Sequence, residues 1–166
     1  LQRTLLGLPS GIELYPAVLW NDPKYGNKKV VAFDDSTKEA ISITVDIVPE
    51  VNTIVVREIC RASLATQEGT KAVRVVWYRF FTASGITAWK TGNEGIFLET
   101  FQISSVNNSY QTVETRLPLS AFVVNGKAPQ PGDEMQLLLV RVGNAKEDDI
   151  TGDWLLGKLQ VIQLSN

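Results

Sequence analysis

The most concentrated chemistry in the chain lies between residues 146 and 153, where Lys146, Glu147, Asp148, Asp149 and Asp153 crowd together. Carboxylates at this density suit a calcium ion, which takes six to eight oxygen ligands. Their spacing does not follow the Asp-x-Asp-x-Asp-Gly order of an EF-hand loop, and a solvated loop between strands has the same composition. The expectation is therefore a structural use without metal. Arg141 interrupts the apolar run Leu137 to Val142, and a guanidinium taken out of water cannot shed its charge. It is expected to pair with Asp149 or Asp153 as the acidic loop folds back.

A second group is aromatic. Tyr15, Trp20, Tyr25, Trp89 and Tyr110 fall in or near predicted loops. Exposed rings of this kind can act as platforms for a pyranose, which offers one apolar face and hydrogen-bonding edges. Trp20, Tyr25, Trp89 and Tyr110 are thus the candidate contacts for a glycan or a partner protein, whereas Trp77, Tyr78, Phe80 and Phe81, inside one strand-like run, are assigned to the core. Asp34-Asp35 together with Glu13 would be the carboxylates of a glycosidase. That chemistry needs a gap of roughly 5 to 9 Å, which a sequence cannot supply, and the following Ser36 and Thr37 make the pair read as a turn.

No histidine occurs among the 166 residues, which removes the usual general base, the imidazole of a Ser or Cys triad and the commonest metal ligand. The single cysteine, Cys60, excludes an internal disulfide and a thiolate cluster, and on an alternating strand it reads as a small buried hydrophobe. No catalytic residue, cofactor or metal is assigned. With 16 Lys and Arg against 18 Asp and Glu, the net charge of −2 offers no basic stripe for nucleic acid. Apolar runs are broken by charge every few residues, so no segment approaches the roughly 20 apolar residues of a membrane span. Leu1 to Pro9 lacks the layout of a signal peptide, and a start at Leu reads as a fragment, a processed product or the later part of a longer protein.

The elements that must position these side chains are strands. Ile41, Ile43, Val45 and Ile47 alternate with Ser42, Thr44 and Asp46, and the same period of two returns over Thr53 to Ser63, with Ile54, Val56 and Cys60 on one face and Val55, Arg57, Ile59 and Arg61 on the other. Further strands are read over Lys71–Thr82, Ile96–Ser104, Tyr110–Leu117, Glu134–Val142 and Trp154–Leu164. Glu134–Val142 is apolar on both faces and so suits a central position. Turn signals separate them: Thr66–Thr70, a long Gly-rich stretch from Ala83 to Gly95 that holds Trp89, Asn107–Ser109, Pro131-Gly132, and a short helical turn at Leu119–Phe122. Short strands at such spacing predict a single all-β domain, an antiparallel β-sandwich of jelly-roll type.

Ordered residues then suggest a family. The run Ala32-Phe33-Asp34-Asp35-Ser36-Thr37-Lys38-Glu39, Val75-Val76-Trp77, and Leu117-Pro118-Leu119-Ser120 are the first of them. Pro131-Gly132-Asp133-Glu134 leading to Arg141, then Asp148-Asp149 and Gly152-Asp153-Trp154-Leu155-Leu156-Gly157, complete the set. Together they resemble the β-sandwich domain of tailed-bacteriophage virion appendages. The resemblance implies a non-enzymatic structural component of a virion (tail fibre, neck or baseplate appendage, or capsid decoration), located in the extracellular particle. Its partners would be other virion proteins, a homo-oligomer with a trimer favoured, and a host surface glycan. The likeness starts near Ala32, so residues 1–31 are expected to form an attachment segment and 32–166 the sandwich. The alternative is a carbohydrate-binding module that recognises a polysaccharide through exposed aromatics.

Overall fold

The computed structural model describes residues 13–15, 17–64, 69–81, 95–102, 109–122, 126 and 128–165, with 13–15, 74–81 and 95–102 described by strand course and register. Among the described residues ten strands form two five-stranded antiparallel sheets, so the jelly-roll-like sandwich is what the chain adopts. One sheet has the order β1 (Glu13–Tyr15), β4 (Lys38–Asp46), β9 (Glu134–Val142), β6 (Lys71–Phe81), β7 (Gly95–Gln102). The other runs β2 (Val18–Asp22), β3 (Lys28–Phe33), β10 (Trp154–Leu164), β5 (Thr53–Ala62), β8 (Gln111–Pro118). No helix among the described residues is long and apolar enough to cross a membrane.

Alternation explains the layering. Ile41, Ile43 and Val45 of β4 and Met135, Leu137 and Leu139 of β9 face Ile54, Val56 and Cys60 of β5 and Trp154, Leu156, Leu159 and Val161 of β10 across one core. Phe33 and Trp154 pack with centroids 5.1 Å apart. Strand β9 lies at the centre of its sheet, and its outward residues Leu138 and Val140 are covered by Ala40 and Val73, which accounts for its two apolar faces. Strand β10 is central in the other sheet. It pairs with β3 over Trp154–Leu156 and with β5 over its full length, with a bulge between Leu156 and Lys158.

One boundary moves. The expected attachment segment, residues 1–31, contributes β1, β2 and most of β3, each hydrogen-bonded into a sheet, so the sandwich includes residues from Glu13 onward. The stretch was passed over because β1 and β2 are edge strands of three and five residues, too short to display a period. Residues 82–94, which hold Trp89, lie outside the described residues, as do most of the Thr66–Thr70 and Asn107–Ser109 turns.

Candidate functional site

The outward face of the β2–β3–β10–β5–β8 sheet carries the aromatic residues. On β2 the outward positions are Val18, Trp20 and Asp22, in register with Ala32, Val30 and Lys28 of β3. Val30 and Ala32 pack with Leu155 of β10, and Tyr110 lies against them. Between β2 and β3 the chain forms a short 3-10 turn, Pro23–Tyr25, capped by Asp22, whose carboxylate accepts from the Lys24 N–H at 3.1 Å. Gly26 and Asn27 then take φ of 67° and 59°, a left-handed reversal that Gly and Asn tolerate best.

This tip folds over the sheet and is clamped there. Arg61, on the outward parity of β5, donates from Nε to Asp22 Oδ2 at 2.8 Å and from Nη2 to Oδ1 at 2.6 Å. The Tyr110 hydroxyl donates to Asp22 Oδ2 at 2.8 Å. Tyr25 and Tyr110 meet edge to face at 4.7 Å, with the Arg61 guanidinium 5.5 and 5.7 Å from their centroids. The rings seal the ion pair, leaving the Arg61 side chain 4% and the Asp22 side chain 0% exposed. The Arg61 hydrogen bonds hold the Asp22 carboxyl below the ordinary aspartate range, against the opposing effect of burial. Burial, then the neighbouring Asp22, pushes the Tyr110 phenol up, so it stays a hydrogen-bond donor. Gly157, at the β10 bulge, makes room for this ring, because a Cβ there would stand 2.8 Å from Tyr110 Cε1.

The structure therefore gathers three of the four sequence-selected aromatics on one surface. Trp20 stays 42% exposed and Tyr25 37%, while Tyr110 is half-buried and serves as the clasp. Trp20 is on a strand rather than in a loop. Sequence reading assigned no role to Asp22 and Arg61, which hold these rings in place, or to Gly157, which leaves room for Tyr110. Asp22 sits 39 positions from Arg61 and 88 from Tyr110, so only the fold brings them together.

The acidic loop has a different use. Arg141 is wholly buried, and its carboxylate partner is Asp148 rather than Asp149 or Asp153: Nε donates to Asp148 Oδ2 at 3.1 Å and Nη2 to Oδ1 at 2.9 Å. Its remaining N–H groups reach the carbonyls of Phe33, Gly152 and Ile150, each at 2.9 Å. Asp149 instead accepts from the Lys71 N–H at 2.5 Å, tying the loop to β6. Asp153 is half-buried, and burial followed by the nearby Asp34 raises its carboxyl above the usual range. Arg141 on an inward-facing position of β9 meets the first of the two adjacent aspartates because their side chains diverge, which sequence spacing does not reveal.

Asp34 accepts from the N–H of Ser36 at 2.7 Å and from its hydroxyl, and Asp35 accepts from the Gly152 N–H at 2.5 Å, so this pair builds a turn. Among the described residues no three His, Cys, Asp or Glu side chains gather as a metal-ligand set. At one end of the sandwich a cleft of about 280 Å³ lies between Val51, Asn52, Leu119 and Pro129–Pro131, with no charged lining residue.

No protein-family model matches the chain, and no curated protein does. Among solved structures it is similar to a family 35 carbohydrate binding module from Clostridium thermocellum, with 11% identity and a TM-score of 0.54 over 99% of both chains. It is also similar to the CBM22-1 xylan-binding domain of Paenibacillus barcinonensis Xyn10C, with 9% identity and a TM-score of 0.50, covering 99% of this chain and 86% of that one. A cycloalternan-forming enzyme from Listeria monocytogenes, in complex with a pentasaccharide substrate, matches over 92% of this chain with 15% identity and a TM-score of 0.53. The chain spans 11% of that enzyme's length. At such identities the likeness is one of fold. It corrects the expectation of a structural virion component: these neighbours are carbohydrate-binding modules and a segment of an enzyme, not phage proteins. The fold that the chain shares with them is the antiparallel β-sandwich.

Proposed function

We propose that this domain is a non-catalytic carbohydrate-binding module that takes a polysaccharide on the outward face of the β2–β3–β10–β5–β8 sheet. The observation that carries the reading is the pair of exposed rings, Trp20 and Tyr25, on a surface held rigid by the buried Asp22–Arg61 pair and the Tyr110 clasp. A flat ring that need not be ordered on binding loses little entropy when a sugar stacks on it, and neighbouring Lys and Asn side chains supply donors for hydroxyl groups. The neighbours described above, one of them a xylan-binding domain, support the substrate class. A non-catalytic role fits a chain without histidine in which the buried carboxylates Asp22 and Asp148 are each engaged by an arginine.

The test is affinity electrophoresis against a panel of soluble polysaccharides. At least one polymer should retard the protein, and Trp20→Ala should weaken that binding by about tenfold or more, the usual loss for an aromatic anchor, while leaving the melting temperature close to wild type. Retardation unaffected by Trp20→Ala would move the site elsewhere, and no retardation by any polymer would overturn the reading.

A further inference from the structure

The chain as a whole carries a net charge of −2, yet the face just described is cationic. Below the aromatic clamp, the outward positions of β5, β10 and β8 read Arg57 and Ile59, Lys158 and Gln160, and Thr112, Glu114 and Arg116. Glu114 is shared by two arginines: Arg57 Nη2 lies 2.9 Å from its Oε2 and Arg116 Nε 3.2 Å from its Oε1. The Gln160 Oε1 accepts from Arg57 Nη1 at 3.3 Å. One carboxylate neutralises one cation, so this trio keeps a positive charge. Asp22 is likewise consumed by Arg61. Lys28 and Lys158 have no carboxylate partner among the described residues; Lys28 is exposed beside Tyr110, and Lys158 is half-buried on the bulged strand. Lys24 Nζ sits 5.7 Å over the Tyr25 ring at the upper end.

The cations thus form a row along β5 and β10 that starts at the exposed rings. From Arg61 to Val55, the register partner of Arg116, is six residues, about 20 Å at roughly 3.3 Å per residue. A row of this length matches an extended polymer with repeated negative charge better than a single small anion. We infer that the ligand of this face is an acidic polysaccharide, carrying carboxylate or sulfate groups, whose sugar rings stack on Trp20 and Tyr25 while its charges run over Lys28, Lys158 and the Arg57–Arg116 pair. The inference rests on the polysaccharide reading above and specifies its substrate class. Exposed rings with a pyranose-sized apolar surface favour a sugar polymer over a nucleic acid, whose phosphates would need a wider basic surround than a chain of net −2 offers.

The experiment measures binding to polymers matched in backbone and different in charge: polygalacturonate against its fully methyl-esterified form, and chondroitin sulfate against unsulfated and desulfated, carboxyl-reduced chondroitin. The inference expects at least one charged member to bind at least tenfold tighter than its neutral counterpart. That preference should collapse as ionic strength approaches 1 M, where screening acts over about 3 Å. The variant Lys28→Ala/Lys158→Ala should weaken the charged polymer by about five- to tenfold more than its neutral counterpart, with the melting temperature close to wild type. Tighter or equal binding of neutral polymers, still lost in Trp20→Ala, overturns the acidic assignment and leaves the carbohydrate reading standing. Failure of every polymer removes both. Equal affinity for single-stranded DNA would show a general polyanion surface and overturn the inference.

Discussion

Asp22→Ala removes the group on which the aromatic surface hangs. In the folded protein its carboxylate takes two hydrogen bonds from Arg61, at 2.6 and 2.8 Å, one from the Tyr110 hydroxyl at 2.8 Å and one from the Lys24 N–H at 3.1 Å. After truncation the Arg61 guanidinium keeps the Ala62 carbonyl, 3.0 Å from Nη1, and its side chain is only 4% exposed. Stranding one member of a buried pair costs about 3–5 kcal/mol. Because the covering tip is a surface hairpin that can lift to admit water, the lower end applies, about 3 kcal/mol. For a domain of this size that is about 6–12 °C in melting temperature. Thermal unfolding of Asp22→Ala, Arg61→Met and the double variant measures it. The double variant, which leaves no stranded charge, should lose less than the two single losses combined, with a coupling of about 2 kcal/mol. Hydrogen exchange over residues 18–33 should accelerate in Asp22→Ala while β9 stays protected. A melting temperature within about 2 °C of wild type, or single losses that simply add, would refute the claim that this pair pins the hairpin.

Three further outcomes follow from the same geometry. Because the folded-state pKa of Asp22 lies below its unfolded value, its contribution is complete above the unfolded value near pH 4 and is lost as pH falls through the folded one; acid titration should therefore destabilise wild type more steeply than Asp22→Asn below about pH 4. Asp148→Ala, which strands the wholly buried Arg141, should cost about 3–5 kcal/mol, whereas Asp149→Ala, which gives up a backbone N–H at the loop surface, should cost about 1 kcal/mol; chemical denaturation of the two reads the difference. Gly157→Ala would place a methyl 2.8 Å from Tyr110, so calorimetry should show a loss of about 1–3 kcal/mol, and Tyr110→Leu in the same background should absorb part of it.

The strands that the sequence displayed are those whose two faces differ in polarity over a long run. Ile41 to Ile47 and Ile54 to Cys60 alternate because one face meets the core, and Leu137–Val140 of β9 is apolar on both faces because the strand is central and flanked on both sides. The edge strands β1 and β2 gave no such signal: five residues, Val18–Asp22, put Val18, Leu19 and Trp20 all in partial contact with solvent. The candidate rings were legible as residue types near turns, since Trp20, Tyr25 and Tyr110 did prove to share a surface. What fixes them was not legible. Asp22 carried no signal of its own, and Arg61 stood on the same face of its strand as Val55, Arg57 and Ile59; only the hairpin folding across β10 makes them a buried pair. The acidic loop meets Arg141 through Asp148, neither Asp149 nor Asp153, because adjacent side chains at a loop point apart.

The central claim is a location, and a footprint tests it most directly. Hydrogen exchange, compared with and without a polysaccharide that retards the protein, should show added protection over Val18–Val30, around Tyr110 and along Lys158–Gln160, all on the outward face of one sheet. Protection confined to the cleft between Val51 and Pro131, or to the opposite sheet, would contradict it.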